Sequence, residues 1–355
     1  MSLEECGIQY KKLAGCLIAS IRFNLINREE TPIVVNELFQ LIPNGNIAGQ
    51  AFCIIQGFSS YQEGYEVEVG VPVSEPVDTG RVKSRVFPDI EVLSLVHRGP
   101  IEKLRESKVK LRDYALEHGL CSEEFSREVY PDWKHLENGI EVQFVLHDWC
   151  GLLTRNINHT LGEEAGKAIW QGYQGIGIET RLEERFQWVK GALEKLEGIA
   201  GEFQKYDAIS RCAHIFPGGM VNRLADIYQR AREETQDSLN AVDAVIEFIR
   251  NDPGWGEKSL YRDGHVIYTS KLPADPEGYK QAKTVAEKRT AYCYCPLVRT
   301  NLERGMPATF CYCGAGWFRQ QWETATGKPV KVELLKTILK GDDSCQFAVH
   351  LASDL

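Results

Sequence analysis

The sequence predicts an α+β protein in two parts. The first is an antiparallel sheet built from a duplicated β-α-β-β unit with two helices. The second is a helix-rich α+β domain ending in antiparallel hairpins. Three observations carry this. The chain has 355 residues, too long for one ordinary core. The order strand, helix, strand, strand occurs twice within residues 1–148. From residue 149 the period changes to long helical stripes, and short alternating strands return only near residue 260.

The first copy opens on "KKLAGCLIASIRF", apolar and β-branched enough for a strand. In "TPIVVNELFQLIP", Thr31 suits a cap and Pro32 the first helical turn, while Val35, Leu38, Phe39 and Ile42 share one helical face. "AFCIIQGF" and "YEVEVGVPV" complete the unit as strands. The second copy repeats the order. "FPDIEVLSLVHRG" reads as a strand, and "PIEKLRESKVKLRDYALEHG" as a helix from Pro100 to Gly119. Leu104, Lys108, Leu111 and Ala115 mark its buried side, the Lys108 stem lying along it with the charged end toward water. "SREVYPDW" and "GIEVQFVLHDW" supply the last strands, "EVQFVLH" standing where "EVEVGVPV" stood before. Such a repeat builds one pseudo-symmetric sheet with both helices on one face, leaving the other face as a groove between the halves.

"YEVEVGVPV", the "VHRGPIEKL" strand-to-helix turn and the "REVY…IEVQF" ending resemble the GyrI-like domain, a small-molecule (effector) binding module also found in bacterial multidrug regulators. The resemblance covers about residues 5 to 148. It implies a groove lined by aromatics, with Tyr65, Tyr130 and Trp133 as lining and a buried carboxylate at its base. That acid maps to Glu128, with Glu141 as a second. A carboxylate under an apolar pocket attracts cationic or hydrogen-bonding aromatic ligands, and ring faces add cation–π attraction. Some members are similar in fold yet hydrolyse strained small molecules with such a Glu and a Tyr, which would make Glu128 and Tyr130 catalytic. His97, at a strand end, reads as a turn residue.

Partners follow from charge and hydropathy. The net charge is −9 and no stripe of Lys and Arg is present, so nucleic acid is not expected. The regulators place a helix-turn-helix ahead of this module; here the module starts within the first residues, and a protein without its own DNA-binding domain is expected. The N-terminus lacks the order of a signal peptide, and no apolar run approaches the ~18 residues of a membrane span. Membrane is therefore not expected as a partner, and the cytoplasm is the expected location.

Residues 149–355 begin with packing stripes: Phe186, Val189, Leu193, Leu196 and Phe203, then Leu224, Ile227, Tyr228, Leu239, Val242, Val245, Ile246 and Ile249. "GYQGIGIE" lacks phosphate-loop spacing, and "DPGWG" ends the second stripe. "KSLYRDGHVIYTSKL" predicts a hairpin at Asp263-Gly264, "GAGWFRQQWETATGK" a helix stopped at Gly327, and "VKVELLKTILKGDDSCQFAVHL" a second hairpin. Gly341, Asp342, Cys345 and Phe347 resemble the strand ending of L-2-amino-thiazoline-4-carboxylate hydrolases and, more distantly, of vinyl-reductase-type ligand domains. That resemblance covers roughly residues 150 to 352.

Eleven cysteines are present, and five fall between 293 and 345. In a strand, Cys293 and Cys295 would project together. Cys311 and Cys313 precede a helix, whose N-terminal partial charge favours thiolate at Cys313. If these four and Cys345 converge, soft sulfur ligands suit zinc or an iron–sulfur cluster. C-x-C is tighter than the usual zinc knuckle, and a buried apolar sulfur core or thiol chemistry with His214 or His350 as base is the alternative. The expected function is small-molecule binding or sensing. Hydrolysis of a small strained or heterocyclic compound is the alternative, and a metal- or thiol-dependent activity the third reading.

Overall fold

The computed structural model describes residues 6–25, 30–43, 45–56, 65–171, 176–177, 179–214, 218–252, 255 and 259–355. The chain is α+β and forms two compact units, residues 1–147 and 148–355. The glycine-rich 172–179 stretch and "DPGWG" lie largely outside the described residues.

The first unit runs β1 (Gln9–Leu13), β2 (Cys16–Leu25), α1 (Glu30–Leu41), β3 (Ala51–Gln56), β4 (Tyr65–Pro72), β5 (Lys83–Phe87), β6 (Ile90–His97), α2 (Leu104–Glu117), β7 (Ser122–Tyr130) and β8 (Ile140–Leu146). All pairings are antiparallel, in the order β1-β6-β8-β7-β3-β4-β2-β5. The order is a palindrome about the β3–β7 pair, so the duplication read from the sequence becomes a pseudo-two-fold. Each repeat also lends one edge strand to the other, β1 to β6 and β5 to β2. This corrects the single strand expected over "KKLAGCLIASIRF", which a tight turn at 14–15 divides between β1 and β2; "FPDIEVLSLVHRG" forms the single strand β6, and β5 is an additional strand just ahead of it, joined through a turn at 88–89. The turns clasp each other: the Gly15 N–H donates to Asp89 Oδ1 at 2.6 Å, and a Cβ on Gly15 would stand 2.7 Å from the Phe87 carbonyl.

The two sheet faces differ from the expected arrangement of covered face and open groove. Helices cover one face, burying Val34, Val35 and Leu38 of α1 and Leu104, Leu111 and Ala115 of α2. The opposite face is not an open groove. The sheet curls so that Phe87 of β5 and Val92 of β6 enter one buried cluster with Ile18, Phe52, Ile54 and Val129. The Phe52 and Phe87 rings stand 5.9 Å apart. The physical cause is apolar side chains on both sides of the strands, which leaves neither side to water.

The second unit contains α3 (Trp149–Leu161), α4 (Glu163–Trp170), α5 (Leu182–Ile199), α6 (Glu202–Ser210), α7 (Gly218–Thr235), α8 (Ser238–Asn251), β9 (Tyr261–Asp263), β10 (Val266–Ser270), α9 (Pro276–Gln281), α10 (Val285–Tyr292), α11 (Pro296–Arg299), α12 (Tyr312–Thr326), β11 (Lys331–Lys336) and β12 (Gln346–His350). The two hairpins merge into one sheet, β11-β12-β10-β9. Gly264 takes φ +56° at the β9–β10 turn, and Gly327 takes φ +68° where α12 stops. The first helical stripe breaks at Ala200-Gly201, so Phe203 is exposed rather than buried with Phe186 and Leu193. α12 joins two cores: Cys313 belongs to one with α3, α5 and α6, while Ala315, Phe318 and Trp322 belong to the other with α7, α8 and the sheet. Its approach to α6 depends on Gly316, where a Cβ would lie 1.8 Å from the Ser210 carbonyl oxygen.

No helix among the described residues is long and apolar enough to cross a membrane.

Candidate ligand recess and cysteine cluster

Strand alternation decides which predicted residues meet. Glu128 and Tyr130 are two apart on β7 and point to the helix-covered face. Glu128 pairs across to Cys53 of β3 and Val142 of β8. Its side chain is 1% exposed. The Tyr130 hydroxyl donates to Glu128 Oε2 at 3.0 Å, and Lys108 Nζ of α2 lies 2.9 Å from Oε1. Lys108 therefore does more than lay its stem along the core: its ammonium end is the internal counter-ion of Glu128, and its side chain keeps 26% exposure.

Tyr130 also reaches a recess on this face. Thr31, Pro32 and Val35 of α1 form one wall, Ile101 and Leu136 the rest, with Tyr130 and Trp133 as the aromatic lining; the empty space, mouth included, is about 260 Å³. Trp133 stacks on Phe39 with ring centroids 5.5 Å apart, and Lys134 Nζ stands 5.3 Å from its ring. The structure thus brings together Glu128, Tyr130 and Trp133. It does not bring Glu141 to them. Glu141 pairs opposite Val129, one residue out of phase, and faces the other side of the sheet. There it accepts from Lys11 Nζ at 2.7 Å and Gln143 Nε2 at 3.0 Å. Burial acts to raise the Glu141 carboxyl, but these bonds and the Lys11 charge carry it below the ordinary range. The Tyr65 side chain lies outside the described residues.

The curled face holds charges that the sequence reading passed over. Glu68 is buried, accepting from Ser20 Oγ at 2.7 Å and from Arg85 Nε and Nη2 at 2.8 and 2.7 Å. Burial works to raise its carboxyl, yet the Arg85 and Ser20 bonds and the Arg85 and Arg22 charges leave it lowered. Arg127 is buried over the Phe52 and Phe87 rings, at 4.3 and 5.0 Å, and donates to Gln143 Oε1 at 3.0 Å. Burial pushes its guanidinium down to about 10. His97 is held by both ring nitrogens, 3.0 Å from Ser107 Oγ and 3.0 Å from the Pro100 carbonyl, as a residue of the turn into α2.

In the second unit, Cys293 and Cys295 do not lie in a strand. Cys293 caps the end of α10 and Cys295 the start of α11, with Pro296 in its first turn. Both keep extended backbone. Cys311 precedes α12 and lies close enough to feel the charge of Cys345 and Cys293. Cys313 goes elsewhere, its thiol donating to the Cys212 carbonyl at 3.6 Å. The helix N-terminus does not make Cys313 a thiolate: burial in the apolar core raises it instead. Cys293 is raised well above its ordinary value by the neighbouring Cys295 thiol and by burial, Cys311 is raised by burial, and Cys345 is pushed up to about 11, again by burial. His350 sits 3.0 Å from Glu333, at the far end of β12 from Cys345.

A family described as one of unknown function (DUF6144) matches residues 269–354. None of the curated proteins compared matches the chain. Among solved structures, the chain is similar to EcmrR in its DNA complex, at 22% identity and TM-score 0.35, over 39% of this chain and 56% of that one. The EcmrR C-terminal domain is similar at 22% identity and TM-score 0.34, over 39% of this chain and 96% of that one. A hydrolase from Listeria innocua is similar at 11% identity and TM-score 0.31, over 39% and 90%. The chain therefore spans about half of the EcmrR chain in that complex. Scores this low carry no functional inference.

Proposed function

We infer that the first unit is a receptor for a small amphipathic molecule with an aromatic, cationic part. The carrying observation is the Glu128 carboxylate, buried beside a recess and joined to it by Tyr130. A charge out of water needs a partner, and Lys108 supplies it from the protein itself. Because Lys108 retains access to solvent, its ammonium can swing out while a ligand cation takes its place. Tyr130 and Trp133 then offer ring faces to the aromatic part. This makes Glu128 the attraction, Lys108 a competing internal cation, and the α1 wall the apolar contact.

The test is titration of the full chain with a lipophilic aromatic cation, tetraphenylphosphonium, against a neutral analogue of similar size. Lys108→Met is expected to tighten the cation by about tenfold, equivalent to about 1.4 kcal/mol. Glu128→Gln is expected to weaken it and leave the neutral analogue unchanged. Equal affinities in all three proteins would sink the proposal.

A second reading rests on the Tyr130–Glu128 bond, since a carboxyl and a hydroxyl in contact can pass a proton to a bound substrate. Hydrolysis of a strained or heterocyclic compound would then be lost in both Glu128→Gln and Tyr130→Phe with binding kept. A binder shows affinity and no turnover.

A further inference from the structure

We propose that Ser107 is an activated nucleophile, with His97 as its general base and the Pro100 carbonyl holding the imidazole, and that it accepts the acyl group of an activated ester. The site lies in the first unit where β6 passes into α2. It uses neither Glu128 nor Tyr130 and does not depend on the reading of the recess.

Three groups stand in sequence around one imidazole ring. His97 is the last residue of β6, and Ser107 lies in the first turn of α2. The Pro100 carbonyl can only accept, so the His97 Nε2–H donates to it at 3.0 Å. In the neutral ring this leaves Nδ1 bare, and the Ser107 hydroxyl donates to it at 3.0 Å. The carbonyl therefore fixes the tautomer, and it is the one a general base needs. A serine inside a helix commonly bonds the carbonyl four residues back. The Ser107 hydroxyl instead has His97 as its one hydrogen-bond partner among the described residues.

The backbone holds this arrangement. Pro100 has φ −61°, the value its ring sets, and its carbonyl also accepts the Lys103 N–H at 3.0 Å. The orienting oxygen is thus fixed by the turn itself. His97 is buried, while Ser107 is half-buried and open to approach. Gly99 takes φ +131°, and a Cβ there would meet nothing within 4 Å, so the turn has free space beside it. Lys103 and Lys110 are exposed, four residues before Ser107 and three after it, and neither has an ion partner among the described residues. At that spacing both share the serine's side of the helix. They supply positive charge where an attacked carbonyl oxygen turns negative.

The chemistry balances with the groups present. Ser107 Oγ forms a bond to the ester carbonyl carbon as its proton passes to His97 Nδ1. The tetrahedral carbon expels the alcohol oxygen, which takes that proton from His97, and an acyl-serine remains. Water then adds to the acyl carbon while His97 takes a proton from it. The Ser107 oxygen leaves, regains the proton from His97, and a carboxylic acid departs. Throughout, the Pro100 carbonyl keeps the Nε2–H and steadies the imidazolium, the orienting part that a carboxylate plays in a Ser-His-Asp triad.

The experiment treats the full chain with diisopropyl fluorophosphate, with phenyl acetate as the competing acyl donor. Ser107 Oγ would bond to phosphorus and fluoride would leave, the proton passing to His97. Peptide mass mapping is expected to place the label on Ser107, and phenyl acetate should slow its appearance. His97→Gln should take the label about 100-fold more slowly or worse. Ser107→Ala should release phenol from phenyl acetate more slowly than wild type. Far-ultraviolet circular dichroism shows that each protein is folded. Folded wild-type protein without label on Ser107 overturns the proposal whatever the variants do. So does labelling that phenyl acetate leaves unchanged, phenol release equal in wild type and Ser107→Ala, or a folded His97→Gln labelled at the wild-type rate.

Discussion

Lys108 Nζ lies 2.9 Å from Glu128 Oε1, but only the lysine of this pair can reach water. Removing one member of a buried ion pair costs about 3–5 kcal/mol when the other charge stays buried. Lys108→Met leaves the Glu128 carboxylate inside the sheet without its ammonium counter-ion, and a loss of about 3 kcal/mol is expected. Glu128→Gln lets the lysine turn outward and should cost clearly less. Urea unfolding of both variants checks the asymmetry; equal losses would show that the lysine is as confined as the acid.

Glu68 sets an acid limit on the first unit. Its carboxyl is lowered in the folded chain, against burial, by Arg85, Ser20 and Arg22. A lowered folded value means stability that is present above the unfolded carboxylate value of about 4.3 and lost as pH falls through the folded one. Wild type and Glu68→Gln should therefore differ in urea midpoint at pH 7 and converge below about pH 4. A gap that stays constant down to pH 3 would remove Glu68 from the account.

Arg127 predicts the opposite of its burial. It stacks on Phe52 and Phe87, and its Nε has no hydrogen-bond partner among the described residues. An unbranched apolar side chain fills the same slot without a buried charge, so Arg127→Met should stay within about 1 kcal/mol of wild type. Arg127→Lys should be worse, since an ammonium gives up more hydration and cannot lie flat on the rings. Thermal midpoints of the two variants decide the order.

Gly316→Ala tests the junction of α6 and α12. The added Cβ would fall 1.8 Å from the Ser210 oxygen and 2.7 Å from the Ala213 Cβ. The helices must separate, at a cost of roughly 1–3 kcal/mol or more. Gly191→Ala, where a Cβ meets nothing within 4 Å, should be neutral or stabilising in the same assay.

Much of this was readable from residue order, and the failures have definite causes. The repeat and the helix over Glu30–Leu41 follow from period and from Pro32 in the first turn, although Thr31 lies inside the helix and does not cap it. That Glu128 and Tyr130 share a face follows from their spacing of two. That Glu141 does not join them depends on β7–β8 register, which no single strand carries. The edge strands were hidden because Gly15 turns the chain inside one apolar run and because β5, KSRVF, is too short and too charged to show a strand pattern. Helices around Cys293 and Cys295 did leave signals: Thr284 and Glu287 form a capping box, and Pro296 opens α11. The burial of Glu68 is not legible in its strand because the curl that buries it is a tertiary property.

Arg127 and Glu128 are consecutive, yet each is buried on its own side of β7. Sliding this strand by one residue would put a guanidinium against the Lys108 ammonium and lay a carboxylate on the faces of Phe52 and Phe87. Both outcomes are repulsive, while the apolar residues around them would tolerate the exchange far better. The two opposite charges therefore act as a proofreading device for strand alignment: a misaligned sheet is penalised on both sides at once, and the chain has one register in which to close.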